Sequence, residues 1–285
     1  MSPTLVRQHL SPTGPASRVD RSARARDWSE IQERMLVPLY EAVYERLEVG
    51  PRTRLLGLGC GSGLALLMAA SRGAAVTGVE PGSPERLALA RQRLLPDAPG
   101  GHVRGDTRLV GGSPGDAADA TRPPYNLVTA FEPLGHQEDD AVELGSLLAA
   151  ATPLAVHGAP VVLVGWGPPE RCATSNVLRI AGKPEAPARG GGGRRAAVRD
   201  DLEEVAGRAG LRPDGSGRVA CPFGYADVGS AVRGLLSTGL FDTAIAATDR
   251  AQVGKELTEA LHPYRRRDRT VWMPNVFRYL VARVP

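Results

Sequence analysis

The chain has 285 residues, 42% of them hydrophobic, so it can bury a core and is not globally disordered. Its net charge of +4 is almost entirely due to arginine, and with 5% aromatic residues it lacks the mixture of basic and aromatic side chains typical of a nucleic-acid surface. No apolar run approaches the roughly 20 residues of a membrane span, and the first residues lack the apolar core of a secretory signal.

These properties predict no nucleic-acid partner and no membrane partner. The three cysteines, Cys60, Cys172 and Cys221, are widely spaced and odd in number. That usage is typical of a reducing compartment and indicates neither a disulfide framework nor a metal site. We therefore expect a cytoplasmic protein without a metal.

The N-terminal part divides into two segments. Residues 1–26 are rich in Ser, Pro and Arg without periodicity, and we expect a flexible arm there. Apolar residues then recur at helical spacing from Asp27, a residue type suited to the N-cap, until Gly50 and Pro51 end the pattern. Residues 27–50 are therefore predicted to form a cap helix.

Strand and helix patterns alternate through residues 51–166, which we expect to form a cofactor-binding core. The predicted strands cover 54–58, 74–80, 102–105, 126–131 and 160–166. The predicted helices cover 63–72, 83–95 and 139–155, and residues 111–124 are predicted to be a loop. Such alternation favours a parallel sheet with helices on both faces.

The pattern changes over residues 167–285. A flexible loop is predicted at 182–195, with helices at 200–209, 227–236 and 243–261 and strands at 217–222 and 275–284. The final strand follows a long insertion, so we expect it at an antiparallel edge. The predicted fold class is α/β, a Rossmann-like, seven-stranded, mostly parallel sheet with an antiparallel edge strand and a helical lid, all in one domain.

The most informative segment is LLGLGCGSG at 55–63, where glycine recurs at alternate positions between a buried strand and a helix. Glycine permits positive φ and close approach of a ligand, and a helix N-terminus offers free N–H groups. The dinucleotide spacing G-x-G-x-x-G fails in both registers, because Ser62 or Leu64 stands at the third glycine position. Glu80, at the end of the second strand, is suited to accept hydrogen bonds from ribose hydroxyls.

These residues resemble the class I S-adenosylmethionine-dependent methyltransferases. LLGLGCGSG is similar to the first motif of that family, VTGVE at 76–80 to its acidic ribose motif, and RGD at 104–106 to its adenine-side motif. The resemblance implies S-adenosyl-L-methionine as cofactor and S-adenosyl-L-homocysteine as product. The cofactor-binding residues that it implies are Gly57, Gly59, Cys60, Gly61, Gly63, Glu80, Pro81, Asp106, Thr107 and Phe131.

Gly57 departs from the family pattern, because the family usually has Asp at this position. That Asp commonly organises the glycine loop or bonds the amino group of the cofactor. Its absence leaves the contact to water or to the N-terminal helix, and we expect it to weaken cofactor binding.

In this fold the methyl acceptor approaches from the carboxyl ends of the fourth and fifth strands. His136 and Glu132 are the candidate catalytic bases there. The alternatives are that Glu132 only bonds a cofactor amine and that His136 only caps a loop. The candidate substrate-binding residues are Trp28, Tyr40, Trp166, Phe223, Tyr225 and Asp227, for which core packing, or a helix cap for Asp227, is the alternative.

The helical lid suits closure over a small organic molecule. WGPPE at 166–170 and NVFRYLVAR at 275–283 are similar to actinobacterial natural-product methyltransferases. VTAFEPLGHQ at 128–137 and CPFGYADVGSAVRGLLSTG at 221–239 are similar to enzymes that methylate indole C3 of tryptophan-containing cyclodipeptides, which implies a pyrroloindoline product.

Other functions stay open at this point. One is an O- or N-methyltransferase of a polyketide or peptide metabolite, one is a nucleotide-binding oxidoreductase, and one is a catalytically inactive cofactor-binding protein of the same fold. The expected partner is a small-molecule substrate, and the expected assembly is a monomer or homodimer.

Overall fold

A computed structural model of the chain describes residues 20–95, 106–134, 140–181 and 201–285. The described residues contain a seven-stranded sheet and a separate antiparallel pair, β7 with β8. In chain order the strands are β1 (Arg54–Leu58), β2 (Ala75–Glu80), β3 (Thr107–Gly111), β4 (Leu127–Leu134), β5 (Pro160–Trp166), β6 (Arg212–Ala220), β7 (Phe223–Tyr225), β8 (Val271–Met273) and β9 (Val276–Arg283).

The order of strands in the main sheet is β3-β2-β1-β4-β5-β9-β6. The strands from β1 to β5 are parallel, and β9 is antiparallel to both of its neighbours. The predicted α/β class with seven strands is confirmed. The antiparallel strand lies one position in from the edge, because β6 pairs with its outer side and forms the edge itself.

Helices cover both faces of the sheet. They are α1 (Arg21–Asp27), α2 (Val37–Arg46), α3 (Leu64–Ser71), α4 (Pro84–Leu94), α5 (Asp140–Ala151), α6 (Ala173–Ala181), α7 (Asp201–Arg208), α8 (Val228–Ser237), α9 (Asp242–Ala247) and α10 (Arg250–Ala260). One buried apolar cluster joins the sheet to α2, α3, α6, α8 and α10. A second cluster joins the opposite face to α5 and α7.

The N-terminal helix begins earlier than the sequence pattern predicts. Asp20 is the N-cap of α1, and its side chain accepts a hydrogen bond from the Ala23 N–H at 3.0 Å. Asp27 is the last residue of α1 and not a cap. A π-helical turn (Trp28–Gln32) and a 3₁₀ turn (Glu33–Leu36) then connect α1 to α2, so the predicted single cap helix is two helices with an irregular junction.

Three other predicted boundaries need correction. The third strand is Thr107–Gly111, whereas the predicted residues 102–105 lie outside the described part of the chain. The strand predicted at 217–222 begins at Arg212, because pairing with β9 extends it through polar residues. The helix predicted at 243–261 is divided into α9 and α10, because Asp249 caps α10 through the Gln252 N–H at 2.8 Å. The loop predicted at 182–195 lies outside the described residues.

Candidate active site

A cavity of about 560 Å³ opens at the carboxyl edge of the sheet. It lies where β1 and β4 are neighbours, which is the point where the strand order reverses. Ligands of open α/β sheets bind in the crevice at this switch point. The lining includes the ends of β1, β2 and β4, together with residues of α1, α4 and α5, among them Gly59, Glu80, Arg86, Glu132 and Leu144.

The glycine loop follows β1 and forms one side of this site. Gly59, Gly61 and Gly63 have φ angles of +60°, +58° and +83°, which side chains other than glycine rarely adopt. Gly57 has an ordinary φ, and a Cβ there would lie 2.9 Å from Leu66 Cδ2. The absence of a side chain at Gly57 therefore allows α3 to pack closely on β1.

Glu80 lies at the end of β2, where the sequence predicts it. Its carboxylate is buried and accepts hydrogen bonds from the N–H groups of Gly61 at 2.8 Å and Gly82 at 3.3 Å. Burial raises the pKa of Glu80, while the nearby Arg86 guanidinium acts in the opposite direction. The structure thus joins the glycine loop and the predicted ribose carboxylate directly. Pro81 lines the cavity beside Glu80, and the half-buried Cys60 belongs to the loop.

A second buried carboxylate at the loop comes from the N-terminal segment. Glu33, with only 3% of its side chain exposed, accepts hydrogen bonds from Ser62 Oγ, from the Leu64 N–H at 3.3 Å and from Arg93 Nη1 at 2.7 Å. It therefore caps the start of α3 and holds the loop in place. Sequence reasoning missed Glu33, because a single Glu in a helical pattern carries no motif.

Three side chains converge above the loop. The Arg86 guanidinium carbon lies 4.3 Å from the centroid of the Trp28 ring, and Arg86 Nη1 lies 3.5 Å from a carboxylate oxygen of Glu132. Glu132 lies in an irregular part of β4, between the pairs Ala130–Leu163 and Leu134–Gly165. Irregularities of this kind are common beside active sites, because they redirect side chains.

A small pocket of about 30 Å³ separates these side chains from the glycine loop. A Cβ at Gly61 would enter it, at 3.3 Å from Trp28 Nε1 and 3.2 Å from Glu33 Oε1. Trp28 Nε1 is buried and has no hydrogen-bond partner among the described residues. The site therefore contains a buried indole N–H without a partner among the described residues. Beside it is a space that a side chain at position 61 would fill.

Asp106, predicted at the adenine end, and Thr107, predicted as a cofactor-binding residue, lie away from the candidate site. Both residues stand at the amino end of β3, because β3 starts at Thr107 instead of ending before Asp106. Asp106 pairs with Arg122 at 2.5 Å, beside a second cavity of about 370 Å³ at that edge of the sheet. At the opposite edge Gly111 pairs with Glu80, so Gly112 and Ser113 are the residues that follow β3 at the candidate site.

Several predicted substrate contacts occupy packing positions. Tyr40, Phe223 and Tyr225 are buried in the core, and Tyr225 Oη donates a hydrogen bond to Gln32 Oε1 at 3.0 Å. Phe131, which was predicted as a cofactor-binding residue, is buried against Tyr40, with ring centroids 4.8 Å apart, and borders the small pocket. Trp166 is half-buried and packs on Phe277 at 4.6 Å.

The remaining predicted site residues are Asp227 and His136. Asp227 is the N-cap of α8 and accepts a hydrogen bond from the Ser230 N–H at 2.6 Å. His136 lies outside the described residues, so the structure gives it no position. Within the described ranges, no group of three or more His, Cys, Asp or Glu side chains is arranged to hold a metal ion. The helices of those ranges include none with the length and apolar character of a membrane span.

No protein-family model and no curated protein matches this chain at a significant level. Solved structures do match. A candidate methyltransferase from Bacillus halodurans is 16% identical, with a TM-score of 0.53 and coverage of 86% of this chain and 98% of that one. YjhP from E. coli is 18% identical, with a TM-score of 0.51 and coverage of 92% and 99%.

A geranyl diphosphate C-methyltransferase from Streptomyces coelicolor, solved with S-adenosyl-L-homocysteine, is 15% identical, with a TM-score of 0.46 and coverage of 89% and 82%. The Bacillus and E. coli structures, at TM-scores above 0.5, share the fold of this chain. The sheet order and these two matches show its fold class. The chain has the Rossmann-like fold of the methyltransferases.

Proposed function

We propose that this protein is an S-adenosylmethionine-dependent methyltransferase that acts on a small molecule. The observation that carries the proposal is the contact between the glycine loop and Glu80, through the Gly61 N–H at 2.8 Å, at the switch point of a methyltransferase fold. A glycine loop and an acidic residue at the end of the next strand are the two elements that a nucleoside ligand needs at such an edge.

The described residues fit S-adenosylmethionine chemically. Glu80 supplies a carboxylate that can accept hydrogen bonds from ribose hydroxyls. At the loop, three carboxylates, Glu33, Glu80 and Glu132, face two guanidinium groups, Arg86 and Arg93. The balance of three negative and two positive charges complements a ligand that carries a sulfonium, an ammonium and one carboxylate. The space that the missing side chain at Gly61 leaves open gives room for the amino-acid end.

S-adenosylmethionine, when bound, supplies an electrophilic methyl group on a sulfonium sulfur. The chain must orient the acceptor at roughly 3–3.5 Å and exclude water. Residues Arg24 of α1 and Thr238 and Leu240 after α8 line the cavity opposite the sheet and supply this cover. We propose that Glu132, whose side chain is 56% exposed, takes up a proton from the acceptor at its carboxylate, and His136 is the other proposed base.

For the acceptor we propose indole C3 of a tryptophan-containing cyclodipeptide. Support comes from the sequence resemblance of residues 128–137 and 221–239. Indole C3 is a soft nucleophile that needs no prior deprotonation, so a base is required only after attack. Methylation at C3 leaves an iminium across C2 and N1 of the indole. The neighbouring amide nitrogen then bonds to C2, and Glu132 or His136 takes the amide proton as the pyrroloindoline closes.

Titration calorimetry with S-adenosyl-L-homocysteine tests the cofactor. We expect saturable binding that weakens about tenfold or more in Glu80→Ala, because a hydrogen-bonded carboxylate is lost. Glu45→Ala, an exposed substitution on α2, is the matched control and should bind as the wild type does. Absence of binding at millimolar ligand, or binding of NADH instead, would overturn the proposal in favour of another α/β protein or an oxidoreductase.

The acceptor is tested by incubating the protein and S-adenosylmethionine with a panel of tryptophan-containing cyclodipeptides, phenols and amines. Mass spectrometry should detect a singly methylated product from the cyclodipeptides. Turnover of phenols or amines with none on indoles would replace the indole proposal by O- or N-methylation. Cofactor binding without turnover of any panel member would favour a catalytically inactive protein.

A further inference from the structure

The indole N–H of Trp28 is the most informative group that the proposed reaction leaves unassigned. Trp28 is 8% exposed, and its Nε1 has no hydrogen-bond partner among the described residues. A buried donor without a partner costs about 1–3 kcal/mol, so native proteins normally supply one as protein, water or ligand. The side chain therefore indicates a partner that the described residues do not supply.

The neighbours of Trp28 restrict what this partner is. The indole nitrogen faces the glycine loop, 3.3 Å from the position of a Cβ at Gly61. The Glu33 carboxylate, whose Oε1 lies 3.2 Å from the same position, is already bonded to Ser62, Leu64 and Arg93. The space of about 30 Å³ beside the indole is large enough for a water molecule in the free protein. A ligand that enters this space and pairs with the indole N–H has to present an acceptor.

The chemistry of the cofactor leaves one candidate. At its amino-acid end the ammonium group only donates hydrogen bonds, and the carboxylate is the only strong acceptor. Arg86 adds a positive charge at the same place, since its guanidinium group lies 4.3 Å from the centre of the Trp28 ring and its side chain is only 13% exposed. A charged hydrogen bond beside a guanidinium group is one of the stronger polar contacts in proteins.

We propose that Trp28 Nε1 donates a hydrogen bond to the α-carboxylate of the cofactor, with Arg86 stacked on the indole and supplying the compensating charge. This inference rests on the proposed function. Trp28, predicted to contact the methyl acceptor, is thereby assigned to cofactor binding. The π-helical turn Trp28–Gln32 also gains a role, because it positions the indole at the glycine loop. Single π-helical turns frequently occur at functional sites.

A ligand pair isolates the carboxylate. S-adenosyl-L-homocysteine carries it, and S-adenosyl-3-thiopropylamine is the same molecule without it. We expect the wild type to bind the first about tenfold or more tightly than the second, measured by calorimetry. In Trp28→Phe, which keeps a ring for Arg86 but removes the N–H, this preference should fall by about tenfold.

Trp272→Phe is the matched control, because Trp272 also stacks with an arginine, Arg266 at 4.5 Å, but lines none of the described cavities. Its preference should equal that of the wild type. An unchanged preference in Trp28→Phe, or an equal loss of affinity for both ligands, would overturn the inference while leaving the proposed function intact. Failure of the wild type to bind either ligand would overturn the cofactor assignment and this inference with it.

A second measurement needs no change at Trp28. The chain has three tryptophans, so its indole N–H groups give three resonances in a ¹H–¹⁵N spectrum. The Trp28 resonance, identified by elimination with Trp166→Phe and Trp272→Phe, should move downfield with S-adenosyl-L-homocysteine and not with the decarboxylated ligand. An identical response to both ligands would contradict the proposed hydrogen bond.

Discussion

Burial of the Glu80 carboxylate changes its pKa and thereby the pH dependence of the proposed ligand binding. Its carboxylate is removed from water at the end of β2, which raises its pKa above the ordinary value of 4.5. The Arg86 guanidinium and the N–H groups of Gly61 and Gly82 oppose this shift, but burial is the larger effect. The free protein therefore holds a proton at Glu80 more tightly than the unfolded chain does.

This raised pKa has two consequences for pH dependence. The contribution of Glu80 to folding is fully present below about pH 4.5 and is lost as pH rises through the higher folded pKa. Ribose hydroxyls donate to the ionised carboxylate, so ligand binding favours loss of the proton. We expect the affinity for S-adenosyl-L-homocysteine to increase with pH across this window.

Calorimetry in buffers of different ionisation enthalpy measures the proton that is released on binding. Proton release should disappear in Glu80→Gln, which cannot titrate. Uptake of a proton by the wild type, or release that persists in the variant, would show that another group is responsible.

The N-terminal segment is the element that completes the site. Pro38 has no N–H and cannot continue the hydrogen-bond ladder of a preceding helix, so the chain passes through the 3₁₀ turn Glu33–Leu36 before α2. The π-helical turn lies immediately before it. These irregular turns bring both Trp28 and Glu33 to the glycine loop. In a straight α-helix the two side chains, five positions apart, would point in different directions, because a turn contains 3.6 residues.

The importance of this junction is tested with Glu33→Ala. The substitution leaves Arg93, which is 21% exposed, and the Leu64 N–H without their carboxylate, so we expect the free energy of unfolding to fall by about 3 kcal/mol. Glu30→Ala, an exposed change in the same segment, should stay within about 0.5 kcal/mol of the wild type. Urea unfolding measures both. Equal effects of the two substitutions would contradict a role for Glu33 in holding the loop.

At the scale of the whole molecule, one apolar cluster connects the parts that flank the site. It includes Leu36 and Val43 from the N-terminal segment, Leu55 of β1, and Leu235 and Phe277 from the C-terminal third. The predicted core 51–166 and the predicted lid therefore share buried surface on one face of the sheet. This arrangement supports the prediction of a single domain.

We accordingly expect one cooperative thermal transition. S-adenosyl-L-homocysteine at one hundred times its Kd should stabilise the folded state by about 2.7 kcal/mol and raise the Tm by about 5 °C or more. NADH at the same concentration should leave the Tm unchanged. Two transitions, of which only one responds to the ligand, would show that the lid folds independently of the core.

Much of the architecture follows from local patterns. The bounds of β1 and β5 agree with the sequence predictions, because both are short apolar runs between turn residues. The start of α4 was also predictable, since Ser83 accepts a hydrogen bond from the Arg86 N–H at 3.1 Å as an ordinary N-cap. The third strand was predicted too early, because its polar residues Thr107 and Arg108 obscure the apolar pattern and pairing with β2 decides its position.

The sequence by itself determined the α/β class, the glycine loop and Glu80 at the end of β2, because strand period, turn glycines and caps act over a few residues. Only the tertiary structure decided that Asp106 lies at the opposite edge and that Glu33 and Trp28 reach the loop. Glu33 and Ser62 are 29 positions apart, and Trp28 meets Arg86 across a comparable length of chain. Contacts at such separations depend on how helices pack on the sheet, and no local pattern encodes them.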